Sequence, residues 1–266
     1  MMGAVPTVTW EPDPNGPRDH QNIIARINSG EWDFYFTDFF RQAKAWNGSM
    51  ILRPLHEMNI PTYPWGMTVP DEYKTAFRRI AKIRNDVGAN NVLLAWSPDA
   101  SSPYNIADYW PGANDSRGRS VIEVIGLDGY IRRESGWKSP GALFESALDQ
   151  VRRLAAGAGR DIPIGVFEFG YEDGVRANKS FFGRAWDTVT DFFSTHQPSV
   201  DQDKAEWIKE AYEYFADNDV RFSFYFNQNK HERMGEQEPR PYFYALNSDA
   251  TQLAFRDATA GRKFVK

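Results

Sequence analysis

The chain contains no cysteine, which excludes disulfides, thiolate metal sites and a cysteine nucleophile. Histidine is almost as scarce: His20, His56, His196 and His231 are the whole set, and no two of them have the spacing of metal ligands. A zinc-peptidase helix of the form His-Glu-x-x-His fails at Ile60, which stands where the second histidine belongs and is followed by Pro61. No Gly-x-x-x-x-Gly-Lys phosphate loop and no Gly-x-Ser-x-Gly elbow occurs, so nucleotide-dependent and serine-hydrolase chemistry are not expected, and no metal or cofactor is implied. The net charge of −5 and pI near 5.5 leave no concentrated basic face for nucleic acid. No apolar run approaches the roughly 20 residues a membrane helix needs. The start, Met1-Met2-Gly3-Ala4-Val5-Pro6, lacks the basic region and long apolar stretch of a signal peptide.

Aromatic residues, by contrast, are abundant: nine Trp, 12 Tyr and 19 Phe in 266 residues, with 41% of the chain hydrophobic. A chain of this length can bury a sizeable core as one α/β domain over residues 1–266. Continuous apolar runs predict strands at Val5 to Trp10, Met50 to His56, Asn91 to Trp96, Ile122 to Gly126, Ile162 to Glu168 and Val220 to Asn227. Runs of this kind suit a parallel sheet covered by helices. Helical stripes lie between them: Tyr73, Phe77, Ile80, Ile83 and Val87, ended by Gly88; Leu143, Ala147, Val151 and Leu154; and Trp207, Ile208, Ala211, Tyr212 and Phe215.

Polar residues gather where the strands end, at Trp10-Glu11, Arg53 to Asn59, Trp96 to Asp99, Asp128-Gly129-Tyr130, Glu168 and Asn227. In a (β/α)8 barrel that end carries the active site. Six strands are visible where a closed barrel needs eight, and the deficit is expected upstream of the first. Two of the strand ends carry glutamate, Glu57 and Glu168. Either could merely cap a loop, but two strand-end carboxyl groups are what glycoside hydrolysis needs, one to protonate the departing sugar oxygen and one to act at the anomeric carbon.

The stretches Thr9-Trp10-Glu11-Pro12, Arg53-Pro54-Leu55-His56-Glu57-Met58-Asn59, Tyr63-Pro64-Trp65, Trp96-Ser97-Pro98, Tyr109-Trp110-Pro111-Gly112, Gly126 to Tyr130 and Phe167-Glu168-Phe169-Gly170 resemble, in order, glycoside hydrolase family 26. That family contains β-mannanases with some β-1,3-1,4-glucanases and β-1,3-xylanases. The resemblance implies a (β/α)8 barrel without the family's first two strands, a secreted or cell-envelope location, a polysaccharide partner and a retaining double displacement. It implies Glu57 as general acid/base and Glu168 as nucleophile. His56 and Asn59 would orient Glu57 and touch the sugar, and Arg53 would supply positive charge beneath the site. Tyr130 would hydrogen-bond the nucleophile, and Trp10, Trp65 and Trp96 would line the cleft. The chain departs from the family pattern at Ile60, where glycine is common, and at Thr62, where tryptophan is common, so a sugar platform is missing. The alternative is a polysaccharide-binding protein with a decayed site on the same barrel.

Overall fold

The structure, a computed structural model, describes residues 5–12, 22–175, 200–232 and 240–260; His20 and His196, like Met1 to Ala4, lie outside them. It divides into two compact units, one formed by Met1–Asp128 with Ser146–Phe167, the other by Gly129–Glu145 with Glu168–Lys266.

The first unit is built on parallel strands. β1 (Thr7–Trp10) pairs with β2 (Met50–Pro54), β2 with β3 (Val92–Trp96), and β3 with β4 (Val124–Ile125). The ladder continues past β4: Ile125 bridges Ile164, the Leu127 N–H donates to Gly165 O at 3.1 Å and the Phe167 N–H to Leu127 O at 2.9 Å. Helices α1 (Ile23–Ser29), α2 (Asp33–Trp46) and α3 (Pro70–Val87) cover these strands. α3 starts where the sequence says it should. Pro70 fills the first turn, where its missing N–H costs nothing, Asp71 and Glu72 face the positive end of the dipole, and Gly88 closes the helix at φ 74°. Tyr73, Phe77 and Ile80 are buried as the stripe predicted, but Ala76, Ala81 and Arg84 complete the buried face, and Ile83 and Val87 are only half-buried.

In the second unit β5 (Asp128–Ile131), β6 (Val166–Tyr171) and β7 (Ser223–Tyr225) form a sheet in that order. α5 (Val200–Asp217) and α6 (Asp249–Thr259) pack on each other, and α6 opens on a capping box between Ser248 and Thr251. Phe169 centres the core, with ring centroids 5.1 Å from Phe215, 5.3 Å from Tyr225, 5.4 Å from Tyr212 and 6.1 Å from Trp207. A hairpin of β8 (Asn229–Glu232) and β9 (Arg240–Phe243) follows β7. The remaining helix, α4 (Pro140–Ala156), buries Leu143, Phe144, Ala147, Leu148 and Val151.

The observed strands are mostly shorter than the sequence reading, and three differences bear on the site. β2 stops at Pro54 rather than His56, because the backbone turns left-handed at Leu55. The strand read as Ile162 to Glu168 becomes continuous only at Val166 and runs on to Tyr171; Pro163 has no N–H to give a ladder. Glu168 thus stands inside a strand, not at its tip. Asp128-Gly129-Tyr130, read as a polar strand end, is itself strand, which a buried aspartate can join because its charge is met by Arg53.

Candidate active site

The loop after β2 is held in an uncommon shape. Leu55 has φ 53° and Glu57 φ 50°, left-handed values that cost a non-glycine residue about 1–3 kcal/mol each. What holds it is a run of donors to five successive carbonyls, four of them from residues at least nine positions away. The Tyr73 hydroxyl donates to Leu55 O at 3.2 Å and the Trp65 indole N–H to His56 O at 2.7 Å. The Ile60 N–H reaches Glu57 O at 3.2 Å and the Met67 N–H Met58 O at 2.8 Å; the Ser102 hydroxyl donates to Asn59 O at 2.6 Å. Burial pushes the Tyr73 phenol well above its ordinary pKa, so it remains a donor throughout the pH range in which enzymes work.

The same loop is fastened to the end of β3. The Glu57 N–H donates to Ser97 O at 2.7 Å. Asn59, fully buried, uses both ends of its amide on one residue: Nδ2 donates to Asp99 O at 2.8 Å, and Oδ1 accepts the Asp99 N–H at 2.9 Å. Asp99 is in turn fixed, its Oδ1 accepting the Ser101 N–H at 2.7 Å and the Ser101 hydroxyl at 2.6 Å.

The first unit holds seven of the nine residues singled out in the sequence, among them Glu57, itself 4% exposed. His56 Nε2 lies 3.0 Å from the Tyr63 hydroxyl and 3.7 Å from Glu11 Oε1. Trp65 is enclosed and stacks on Tyr63, centroids 4.7 Å apart and planes 10° off parallel. Trp96, also enclosed, meets Trp110 edge-on at 5.0 Å. Trp10 is half-buried, donates its indole N–H to the Tyr35 hydroxyl at 3.1 Å and packs edge-on against Trp32 and Phe36. Enclosure gives Trp65 and Trp96 protein partners where Trp10 keeps surface.

Below the loop, Arg53 and Asp128 form an ion pair at 2.7 Å with side chains 1% and 0% exposed. Its remaining groups are satisfied: Arg53 Nε donates to Thr9 Oγ1 at 3.2 Å, the Ser97 hydroxyl donates to Asp128 Oδ2 at 3.0 Å, and the guanidinium stands 5.4 Å from the centre of the Phe167 ring. A pair this dry is tolerable only because it is hydrogen-bonded on every side.

The second unit holds the other two, side by side. Tyr130 on β5 donates its hydroxyl to Glu168 Oε2 on β6. The tyrosine is itself braced by Phe226 edge-on at 5.7 Å, by Tyr244 at 5.1 Å and by the Arg132 guanidinium at 5.3 Å. Gly170 makes the approach possible. A Cβ there would meet Tyr244 at 3.0 Å and Tyr130 at 3.1 Å, so the glycine of Phe-Glu-Phe-Gly clears the space in which Tyr130 reaches the carboxylate two residues earlier.

Sequence reasoning gave no role to Ser97, Asp128, Tyr63, Tyr73 or Tyr35. For Ser97 and Asp128 the signal was present, polar residues directly after apolar strands, and Tyr63 stood in a quoted motif; Tyr73 was legible only as a helix-face residue, and Tyr35 carried no signal. Among the described residues no group of acidic and histidine side chains could hold a metal ion.

Residues 40–159 match the model of glycosyl hydrolase family 26. It is 27% identical over 240 residues, 86% of its length, to endoglucanase H of Acetivibrio thermocellus, of which it covers 22%. It is 30% identical over 103 residues to a mannan endo-1,4-beta-mannosidase of Bacillus subtilis, covering 35% of this chain and 27% of that one. The chain therefore spans less than a third of the length of these curated relatives. A solved endo-beta-1,4-mannanase from Cellulomonas fimi superposes with a TM-score of 0.62 at 18% identity, covering 99% of this chain and 55% of that one; this likeness shows the (β/α)8 type of fold.

Proposed function

We propose that this chain carries the catalytic centre of a retaining, endo-acting glycoside hydrolase that cleaves a β-linked polysaccharide, β-1,4-mannan foremost. The observation that carries the reading is Glu57, a nearly buried carboxylate on a loop whose two left-handed residues are held by donors to five successive carbonyls. Strain at this cost is kept where geometry serves chemistry. In the proposed reaction Glu57 gives its proton to the glycosidic oxygen as the bond from that oxygen to C1 breaks. Glu168 attacks C1 and forms a glycosyl ester. Glu57, now a carboxylate, takes a proton from water, the water oxygen bonds to C1, and Glu168 leaves as carboxylate. The Tyr130 hydroxyl, donating to Glu168 Oε2, fixes the orientation of the carboxylate for its attack on C1. Such a mechanism needs the two carboxyl groups roughly 5 to 5.5 Å apart.

Mannan is favoured by the names of the mannosidase relatives. The relative aligned over most of this chain is named an endoglucanase, so mixed-linkage β-glucan is the first competitor. Trp10, with its half-buried ring, is assigned to the cleft as a sugar-facing surface. His56, next to Glu57 and bonded to Tyr63, is assigned to holding the acid/base.

The test is release of new reducing ends from mannan, mixed-linkage glucan and β-1,3-xylan. Glu168→Ala should abolish turnover, and azide should restore part of it as an inverted glycosyl azide. Glu57→Ala should cut hydrolysis of polysaccharide by about 10²-fold or more while sparing aryl glycosides with good leaving groups, which need little acid help. Equal loss on both substrate types removes the acid/base role from Glu57. Binding without cleavage of all three polysaccharides by the unaltered protein favours a binding protein instead.

A further inference from the structure

We infer that Asn59 is a positioning residue for Glu57, locking the acid/base loop onto the end of β3 rather than meeting the sugar. The inference rests on the hydrolase reading for its activity test but not for its structural one.

The geometry commits both the nitrogen and the oxygen of the Asn59 amide to Asp99. The residue is 0% exposed. Its amide forms a closed ring with one peptide unit, donating to Asp99 O at 2.8 Å and accepting from Asp99 N at 2.9 Å. An asparagine is suited to this because it alone, with glutamine, offers donor and acceptor side by side in the arrangement of a peptide group. The anchor does not yield: Asp99 is 2% exposed and its carboxylate is committed to Ser101. Two further bonds join the same segments, Glu57 N–H to Ser97 O at 2.7 Å and Ser102 Oγ to Asn59 O at 2.6 Å. Glu57 therefore sits between one fixed point at its own N–H and another two residues on, a span too short to relax independently. Its φ of 50° is kept by this clamp, and the left-handed turn decides which way the carboxyl group projects from the strand end. Released from the clamp, the backbone would return to the right-handed or extended regions that non-glycine residues prefer, carrying the carboxyl group with it.

The separating experiment uses Asn59→Asp, which keeps the acceptor and the shape but cannot donate to Asp99 O, with Ser102→Ala as a milder loosening should Asn59→Asp fold poorly. Substrates are β-mannan and a dinitrophenyl β-mannoside, whose leaving group needs no proton. Misplacement of the acid alone lowers kcat on mannan by about 10²-fold, leaves kcat on the aryl glycoside within about 5-fold, and leaves KM for the aryl glycoside unchanged, since general-acid help contributes about 10² to 10⁴. Parallel loss on both substrates, or no loss on mannan, overturns the inference, because a structural or a sugar-contacting residue would behave so. A crystal structure of Asn59→Asp supplies the second arm. Glu57 should leave the left-handed region and its bond to Ser97 should lengthen; an unchanged Glu57 overturns the inference. If the unaltered protein cleaves neither substrate, the hydrolase reading fails by itself and the crystal structure alone decides on the lock.

Discussion

At the scale of single residues, the site is decided by which polar atoms already have partners. Tyr130 is placed to act on Glu168 through one hydroxyl. Tyr130→Phe keeps the ring among Phe226, Tyr244 and Arg132 and removes only that donor; hydrogen bonds to charged groups are worth about 1.5–3 kcal/mol. Activity on an aryl glycoside should therefore fall roughly 10- to 100-fold with little change in Tm, measured by steady-state kinetics beside a thermal scan. Trp65 supports a different expectation. Its indole N–H satisfies His56 O inside the loop, so Trp65→Phe keeps the stack on Tyr63 but strands a buried carbonyl, at about 1–3 kcal/mol. The urea midpoint should drop accordingly. A variant as stable as the original would show that Trp65 serves the sugar rather than the loop. Glu57 and Glu168 were both visible in the sequence because a carboxylate after an apolar run is conspicuous. The donors around Glu57 were not, since Tyr73, Trp65 and Ser102 come from separate segments and a hydrogen bond to a main-chain carbonyl leaves no mark on residue type.

At the scale of elements, strand ends are joined by polar contacts and helices by apolar faces. The Arg53–Asp128 pair links β2 to the start of β5, with Thr9 of β1 and Ser97 after β3 completing its bonds. Removing one partner leaves the other charge buried alone, a cost of about 3–5 kcal/mol. Arg53→Met should lower stability by that amount in chemical denaturation, and Arg53→Met combined with Asp128→Asn should recover part of it; equal losses would mean that the pair contributes nothing beyond packing. Between helices, Arg79 of α3 grips Asp33 of α2 through two bonds of 2.7 Å. The hydrogen bonds from Arg79 first, and its charge after them, hold the Asp33 carboxyl below its ordinary value of 3.8. A depressed folded pKa means stabilisation that is complete above the unfolded value and is lost as pH falls through the folded one. Because Asp33 is 43% exposed, the contribution should be only about 0.5 kcal/mol. Asp33→Asn should therefore lower the urea midpoint slightly at pH 7, and by progressively less as the pH falls below the ordinary carboxylate range and the original carboxyl takes up its proton. The α3 stripe was legible because helix periodicity is local. α1, α2, α6 and the β8–β9 hairpin were not read. α2 buries only Phe36, Phe40 and Ala43 and leaves Phe34 and Trp46 exposed, which blurs its stripe.

At the scale of the whole molecule, the match of residues 40–159 to the model of glycosyl hydrolase family 26 spans β2, β3 and β4 and the polar residues that follow them. Substrate choice belongs here, since it depends on loops from many elements. On the proposed reading mannan should release reducing ends faster than mixed-linkage glucan; the reverse order would put this chain with the endoglucanase it aligns with over most of its length. The sequence by itself determined the α/β class, the parallel runs and the resemblance of its motifs to glycosyl hydrolase family 26, because burial periodicity and short motifs are properties of neighbouring residues. Only the tertiary structure decided that Glu57 rests on a left-handed loop, that Asn59 is spent on Asp99, that Asp128 neutralises Arg53 and that Gly170 clears the way for Tyr130 to reach Glu168. The last three depend on groups 38 to 75 residues apart in the chain, and no local pattern records a partner that far away.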